Sequence, residues 1–146
     1  MQYSVYPIRD ATIYEGKPDL NSGLDSIIEL EKISHNVADA NDIFYNYNYN
    51  SRILLQIDSI EINKLIQNGT IAQSSKYYLN LFSAQADNLA LSYSLYAYPV
   101  SESWSQGKGY YNSSPQIKEG VSWTYRNGSF GMTGKQWTSG SFVAGT

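Results

Sequence analysis

Residues 89–99 change character at every step. Leu89, Leu91, Tyr93, Leu95 and Ala97 alternate with Ala90, Ser92, Ser94, Tyr96 and Tyr98. Successive side chains of a strand point to opposite faces, so this period of two predicts a half-buried antiparallel strand. Arg52–Asp58 reads as a buried strand, with Ile53, Leu55 and Ile57 on one face and Leu54 and Gln56 on the other. Further strands are expected in Val5–Tyr14 around the interruption at Pro7, at Ser26–Lys32, at Lys76–Ser83 and at Val121–Arg126. The Gly-, Pro- and Asn-rich stretch Glu15–Gly23 predicts a loop between the first two. Ser34–Asn50 reads as a long loop whose end, Tyr45-Asn46-Tyr47-Asn48-Tyr49-Asn50, forms an exposed strand edge; low-complexity disorder is the alternative. Ser59–Asn68, followed by Gly69, is the one segment read as a short helical turn with a glycine stop.

Many short strands and one minor helix predict an all-β fold, an antiparallel β-sandwich or jelly roll. The 146 residues fit a single domain over 1–146, long enough to bury one core. Charged residues make up only 16%, below the roughly 25% of ordinary soluble domains, and fourteen Tyr with abundant Asn, Ser and Thr fill the balance. Tyr, Thr and Ile suit a pleated surface. A polar, weakly charged, Tyr-rich exterior suits contact with proteins or sugars.

The charge balance argues against nucleic acid: the net charge is −3, and ten Lys and Arg are scattered singly rather than gathered into a basic stripe. No apolar run approaches the ~20 residues that span a bilayer, and no secretory signal pattern is visible at Met1–Pro7. Without Cys there is no disulfide, thiolate metal site or cysteine nucleophile. A protein acting outside cells with neither signal nor disulfides would leave its host by lysis, as phage particles do.

Catalytic chemistry finds little to stand on. His35 is the only histidine, and no nucleophile-elbow glycines flank a serine that it could activate. Glu29 with Glu31, and Asp58 with Glu61, are the acidic pairs, but nothing sets two carboxylates across a cleft as a glycosidase needs. Asp19-Leu20-Asn21-Ser22-Gly23 and Asp39-Ala40-Asn41-Asp42 are rich in oxygen, yet neither has EF-hand spacing, and turn residues are the ordinary reading. Gly107-Lys108-Gly109 lacks the spacing and following helix of a phosphate loop, so no cofactor is expected.

Trp104, Tyr110, Tyr111, Trp123, Tyr125 and Trp137 crowd the last third of the chain. Exposed aromatic rings stack on sugars and anchor protein interfaces. Trp104 and Trp123 read as core residues. Trp137, Tyr110, Tyr111, Tyr47 and Tyr49 are the candidate interface or glycan-binding residues.

Asp10–Gly23, with its Asp-Ala-Thr strand leading to a loop that closes with Asn and Gly, resembles the opening of DNRLRE-type β-sandwich domains. Arg52–Asp58 resembles their second signature, an Arg and an apolar strand ending in Asp. Leu89–Pro99, Val100–Trp104 and Gly120-Val121-Ser122-Trp123 resemble their later strand and Trp segments. Tyr98–Trp104 and Gly120–Arg126 are similar to segments in structural proteins of T4-like marine phages, particularly those of cyanobacteria. The resemblance spreads over most of the chain and implies a virion location, with other virion proteins and copies of itself as partners. Those domains continue past the second Trp segment, whereas this sequence stops at Thr146. The sandwich is therefore expected to be incomplete at its C-terminal end, either because a longer protein continues it or because a partner chain completes it. The resemblance supplies no catalytic residue. The expected function is a non-enzymatic, bacteriophage virion structural protein of the decoration, neck, baseplate or fibre-associated kind. Carbohydrate binding to host glycans through exposed aromatics is the alternative.

Overall fold

The structure, a computed structural model, describes residues 3–38, 44–84, 92–129 and 134–138, with side chains except at 33–49. The protein is mainly β among these residues, with one short helix and small antiparallel sheets. The chain forms two compact units, one of residues 1–8 and 57–97, the other of residues 9–56 and 98–146.

β1 (Pro7–Tyr14), β2 (Lys32–Ala38) and β3 (Phe44–Ile57), which apart from residues 7, 8 and 57 belong to the second unit, form a three-stranded sheet with β3 in the middle. Pro7 is tolerated because it is the first strand residue, where a missing N–H removes little from the ladder. From Ala11 to Tyr14 every residue of β1 is buried, so both faces of the strand are covered. β2 and β3 pair antiparallel from Lys32↔Asn50 to Ala38↔Phe44. The Tyr/Asn alternation at 45–50 is thus strand, as expected for the end of the long loop, and it pairs along its length with Lys32–Ala38. Residues 34–38, expected as loop, are strand as well.

The strand expected at Ser26–Lys32 begins only at its last residue. Side chains hold the preceding backbone instead: Glu29 N–H donates to Thr12 Oγ1 (2.9 Å), and Ser51 Oγ donates to the Glu29 carbonyl (2.8 Å). Glu31 N–H donates to Ser51 Oγ (2.6 Å) while Ser51 N–H donates to the Glu31 carbonyl (2.9 Å). Such side-chain bonds offer the backbone an alternative to a ladder. In Arg52–Ile57 the strand is present, but the deeply buried residue is Leu54, on the face opposite Ile53, Leu55 and Ile57.

A second, two-stranded antiparallel sheet joins β4 (Tyr125–Asn127) to β5 (Lys135–Gln136). The strand expected from Val121 is shortened because Ser122–Tyr125 is a tight turn. Ser122 N–H donates to the Tyr125 carbonyl (2.7 Å), and Tyr125 N–H returns to Ser122 Oγ (3.0 Å). The core of this unit is Ala11, Ile13, Leu54, Trp104 and Val121, with Val100, Trp123 and Trp137 packed against it.

The first unit holds α1 (Ser59–Gln67), close to the segment expected from sequence. Asp58 caps it, accepting from Ile60 N–H (2.8 Å) and Glu61 N–H (3.3 Å), which satisfies two of the free donors at the helix start. Gly69 at φ 76° ends it, a conformation glycine enters without a Cβ penalty. Ile71 N–H then closes back on the Leu65 carbonyl (3.1 Å). The strands expected at Lys76–Ser83 and in the described part of Leu89–Pro99 do not form; neither has a helix or strand, and 76–83 is exposed throughout. A period of two marks a preference for a pleated surface but supplies no neighbouring strand, and an unpaired strand has nothing to hold it.

Candidate interaction surface

The surface of the second unit is positioned by Asn21, whose fully buried side chain lies in the turn after β1. Its Nδ2 donates to the carbonyls of Gln106 (2.7 Å) and Val121 (2.8 Å), and its Oδ1 accepts from Gly109 N–H (2.7 Å). One side chain thereby ties the first loop to two distant segments. Gln106 Nε2 reciprocates by donating to the Gly23 carbonyl (2.6 Å). Glycine is required at this crossing. A Cβ on Gly107, which sits at φ 82°, would lie 2.3 Å from Asn21 Oδ1, and one on Gly109 would lie 2.2 Å from the Asn21 carbonyl oxygen. Ser22 Oγ donates to the Thr12 carbonyl (2.6 Å). The oxygen-rich 19–23 loop therefore spends Asn21 and Ser22 on backbone groups of other segments, and Asp19 pairs with Lys118 at 3.7 Å.

This loop supports an aromatic cluster. Tyr14 and Tyr111 meet with ring centroids 5.0 Å apart, and Lys17 Nζ lies 3.5 Å from the centroid of the Tyr111 ring. Tyr111 N–H donates to the Asp25 carboxylate (3.1 and 3.2 Å to its two oxygens). Tyr14 Oη donates to Glu29 Oε2 (3.0 Å), and burial, reinforced by this carboxylate, pushes the Tyr14 phenol well above its ordinary pKa. Lys17 covers a face of Tyr111, so a sugar stacking there would have to displace an ammonium. Tyr110, beside it in sequence, is half exposed.

Trp137 stands on other partners. Its indole N–H donates to the Ser122 carbonyl (3.0 Å), its ring packs against the core, and it is half-buried. Arg52 lies over the neighbouring Trp123 ring, 4.6 Å from guanidinium to centroid. Next to them, Glu102 accepts from Thr138 N–H (2.9 Å) and Thr138 Oγ1 (2.8 Å), and pairs with Arg126 Nε at 3.3 Å. Trp104 is buried in the core as the sequence suggested, and Trp123 is partly buried and packed against it.

Tyr47 pairs with His35, and Tyr49 with Ile33, across β2 and β3; their side chains lie outside the described residues. So does the Asp39–Asp42 stretch. Among the described residues no group of three or more His, Asp or Glu is placed to hold a metal ion. Among them, too, no helix is long and apolar enough to cross a membrane.

Sequence reasoning missed the most exposed apolar stretch by assigning it to a strand. Tyr77, Tyr78, Leu79, Leu81 and Phe82 in the first unit are between 49% and 95% exposed. Residues 76–82 make no hydrogen bond among the described residues. The signal was already in the sequence, since Lys76-Tyr77-Tyr78-Leu79-Asn80-Leu81-Phe82 has strand formers, one charge and neither Gly nor Pro. Compared with family models, curated proteins and solved structures, the chain matches none of them.

Proposed function

We propose that this chain is a non-catalytic assembly protein, and that it serves as a structural component of a bacteriophage particle. The observation that carries the assembly reading is the exposed run at 76–82. Contiguous apolar surface of this kind marks a site that another molecule covers, and a chain left with it in solution would aggregate. The phage assignment rests on the segments Asp10–Gly23, Arg52–Asp58, Tyr98–Trp104 and Gly120–Arg126 and their resemblance to virion proteins. The mechanism is static: apolar area is buried against neighbouring subunits, and many copies add avidity. The fold class that goes with this reading is a β-sandwich or jelly roll. Mass spectrometry of purified particles tests the proposal. The protein should be present at the stoichiometry of a structural component, and its absence from particles would refute the assignment.

A second reading is favoured by the half-exposed Tyr110 beside the Tyr14–Tyr111–Lys17 cluster, which would present an aromatic surface to a host glycan. A glycan array comparing the wild type with Tyr110→Ala tests it. Binding that ignores the substitution removes this reading.

A further inference from the structure

We infer that residues 76–82 form an intermolecular strand, pairing antiparallel with the same segment of a second copy about a two-fold axis at Leu79. The inference deepens the assembly reading by naming the segment and the occupant.

Register and charge favour a second copy of the same chain. With Leu79 opposite its own symmetry mate, Tyr77 faces Leu81 of the other copy and Tyr78 faces Asn80. Both contacts are then made twice, as an isologous interface requires. On one face Tyr77, Leu79 and Leu81 of both copies form a continuous apolar row of aromatic–aliphatic pairs, which stabilise neighbouring strands. The other face carries Tyr78, Asn80 and Phe82. Lys76 is the only charged residue of the segment. In this register the two Lys76 residues sit at opposite ends of the ribbon, about 20 Å apart at strand rise, beyond the screening length of physiological salt. A parallel, in-register pairing would instead set the two ammonium groups side by side.

The five exposed side chains present roughly 600 Å² per copy at their observed exposures. Edge-to-edge pairing covers their flanks and leaves both faces of the ribbon open, so it buries only part of the about 1,200 Å² that two copies expose, the range of a weak, concentration-dependent dimer. Pairing would also give partners to backbone groups that make no hydrogen bond within the described chain.

The absence of cysteine from the sequence makes the register directly measurable, because each introduced thiol is unique. Residues directly opposite in an antiparallel pair have Cα atoms about 4.5–5.5 Å apart, within disulfide reach. Under mild oxidation the full-length Leu79→Cys variant should cross-link to a covalent dimer. Tyr77→Cys should not, since the two Cys residues would lie about 13 Å apart, whereas the double variant Tyr77→Cys/Leu81→Cys should. Sedimentation of the untagged wild type should show a dimer, and Leu79→Lys should raise its dissociation constant at least about tenfold by placing like charges at the axis. A monomer at all concentrations would overturn the inference, as would cross-linking at 77 that equals cross-linking at 79. The two proposals fail separately. A monomer that is nonetheless found in particles leaves the virion reading standing, and a cross-linked dimer absent from particles leaves only the self-pairing.

Discussion

Replacing Asn21 by Ala should remove a large share of the stability of the unit that contains it. The wild-type side chain is fully buried and satisfies the Gln106 and Val121 carbonyls together with Gly109 N–H, at 2.7, 2.8 and 2.7 Å. Truncation strands the Val121 carbonyl and Gly109 N–H away from water and takes its partner from the part-buried Gln106 carbonyl, and each buried polar group without a partner costs about 1–3 kcal/mol. The expected loss is therefore about 4 kcal/mol or more, a large share of the roughly 5–15 kcal/mol that holds a typical domain together. Asn21→Asp sharpens the test because it keeps the volume and changes only the donor. A carboxylate oxygen then faces two carbonyl oxygens where an amide donated to both. The ionised form is penalised in the fold, so the folded pKa of this Asp rises above its unfolded value of about 3.9. Its damage should be smallest below that value, where both states are protonated, and should grow as pH rises through the folded pKa. Urea unfolding followed by fluorescence, with buried Trp104 as reporter, measures both effects. An Ala variant within about 1 kcal/mol of wild type, or an Asp variant as stable as wild type at pH 7, would refute the assignment of Asn21 as the tie between these segments.

The glycines give a contrast within one molecule. Gly107→Ala should cost about 2 kcal/mol or more, because its positive φ coincides with a Cβ position 2.3 Å from both Asn21 Oδ1 and the Glu119 carbonyl oxygen. Gly69→Ala, also at positive φ but with open space around it, should cost only about 1 kcal/mol; urea midpoints for the two variants should therefore separate. The raised Tyr14 pKa predicts an alkaline effect. The folded state holds the phenolic proton more tightly, so the contribution is complete below the unfolded value of about 10 and is lost as pH climbs from there through the folded pKa. Urea midpoints at pH 9 and pH 11 should fall further for the wild type than for Tyr14→Phe, and equal falls would contradict this. Asp58→Ala should lower stability by about 1 kcal/mol through loss of the N-cap, seen as reduced helical circular dichroism on warming.

Part of the core was legible in the sequence. Trp104 reads as a core residue, and Ala11, Ile13 and Val121 come from segments expected as strands, whereas Leu54 lies on the face opposite Ile53, Leu55 and Ile57. The helix and its stop at Gly69 were legible as well, because they depend on residues within a turn of each other, whereas Asp58, weighed only as a carboxylate, caps the helix start. What stayed hidden depends on partners remote in the sequence. Asn21 looked like a turn residue or an oxygen ligand, and only the fold brings it to Gln106, Gly109 and Val121. Trp137, a candidate interface residue in the sequence, packs against the core with its indole nitrogen on the Ser122 carbonyl.

The strand errors carry the most information, because they went in opposite directions. Within Ser34–Asn50, read as a long loop with a strand edge at Tyr45–Asn50, residues 34–38 form a strand of their own and pair with that edge in register. Lys76–Ser83, with a comparable density of strand formers, forms no strand. Propensity does not distinguish the two segments, since strand formation needs a second backbone and the sequence of one segment does not say where that backbone is. For 45–50 the partner lies in the same chain. For 76–82 the described chain holds none, and five large apolar side chains are left facing water. A sequence under selection for solubility would break such a run with a charge or a proline. Keeping it intact makes sense if a second copy supplies the missing strand, so the failed strand prediction and the proposed dimer are two consequences of the same residues.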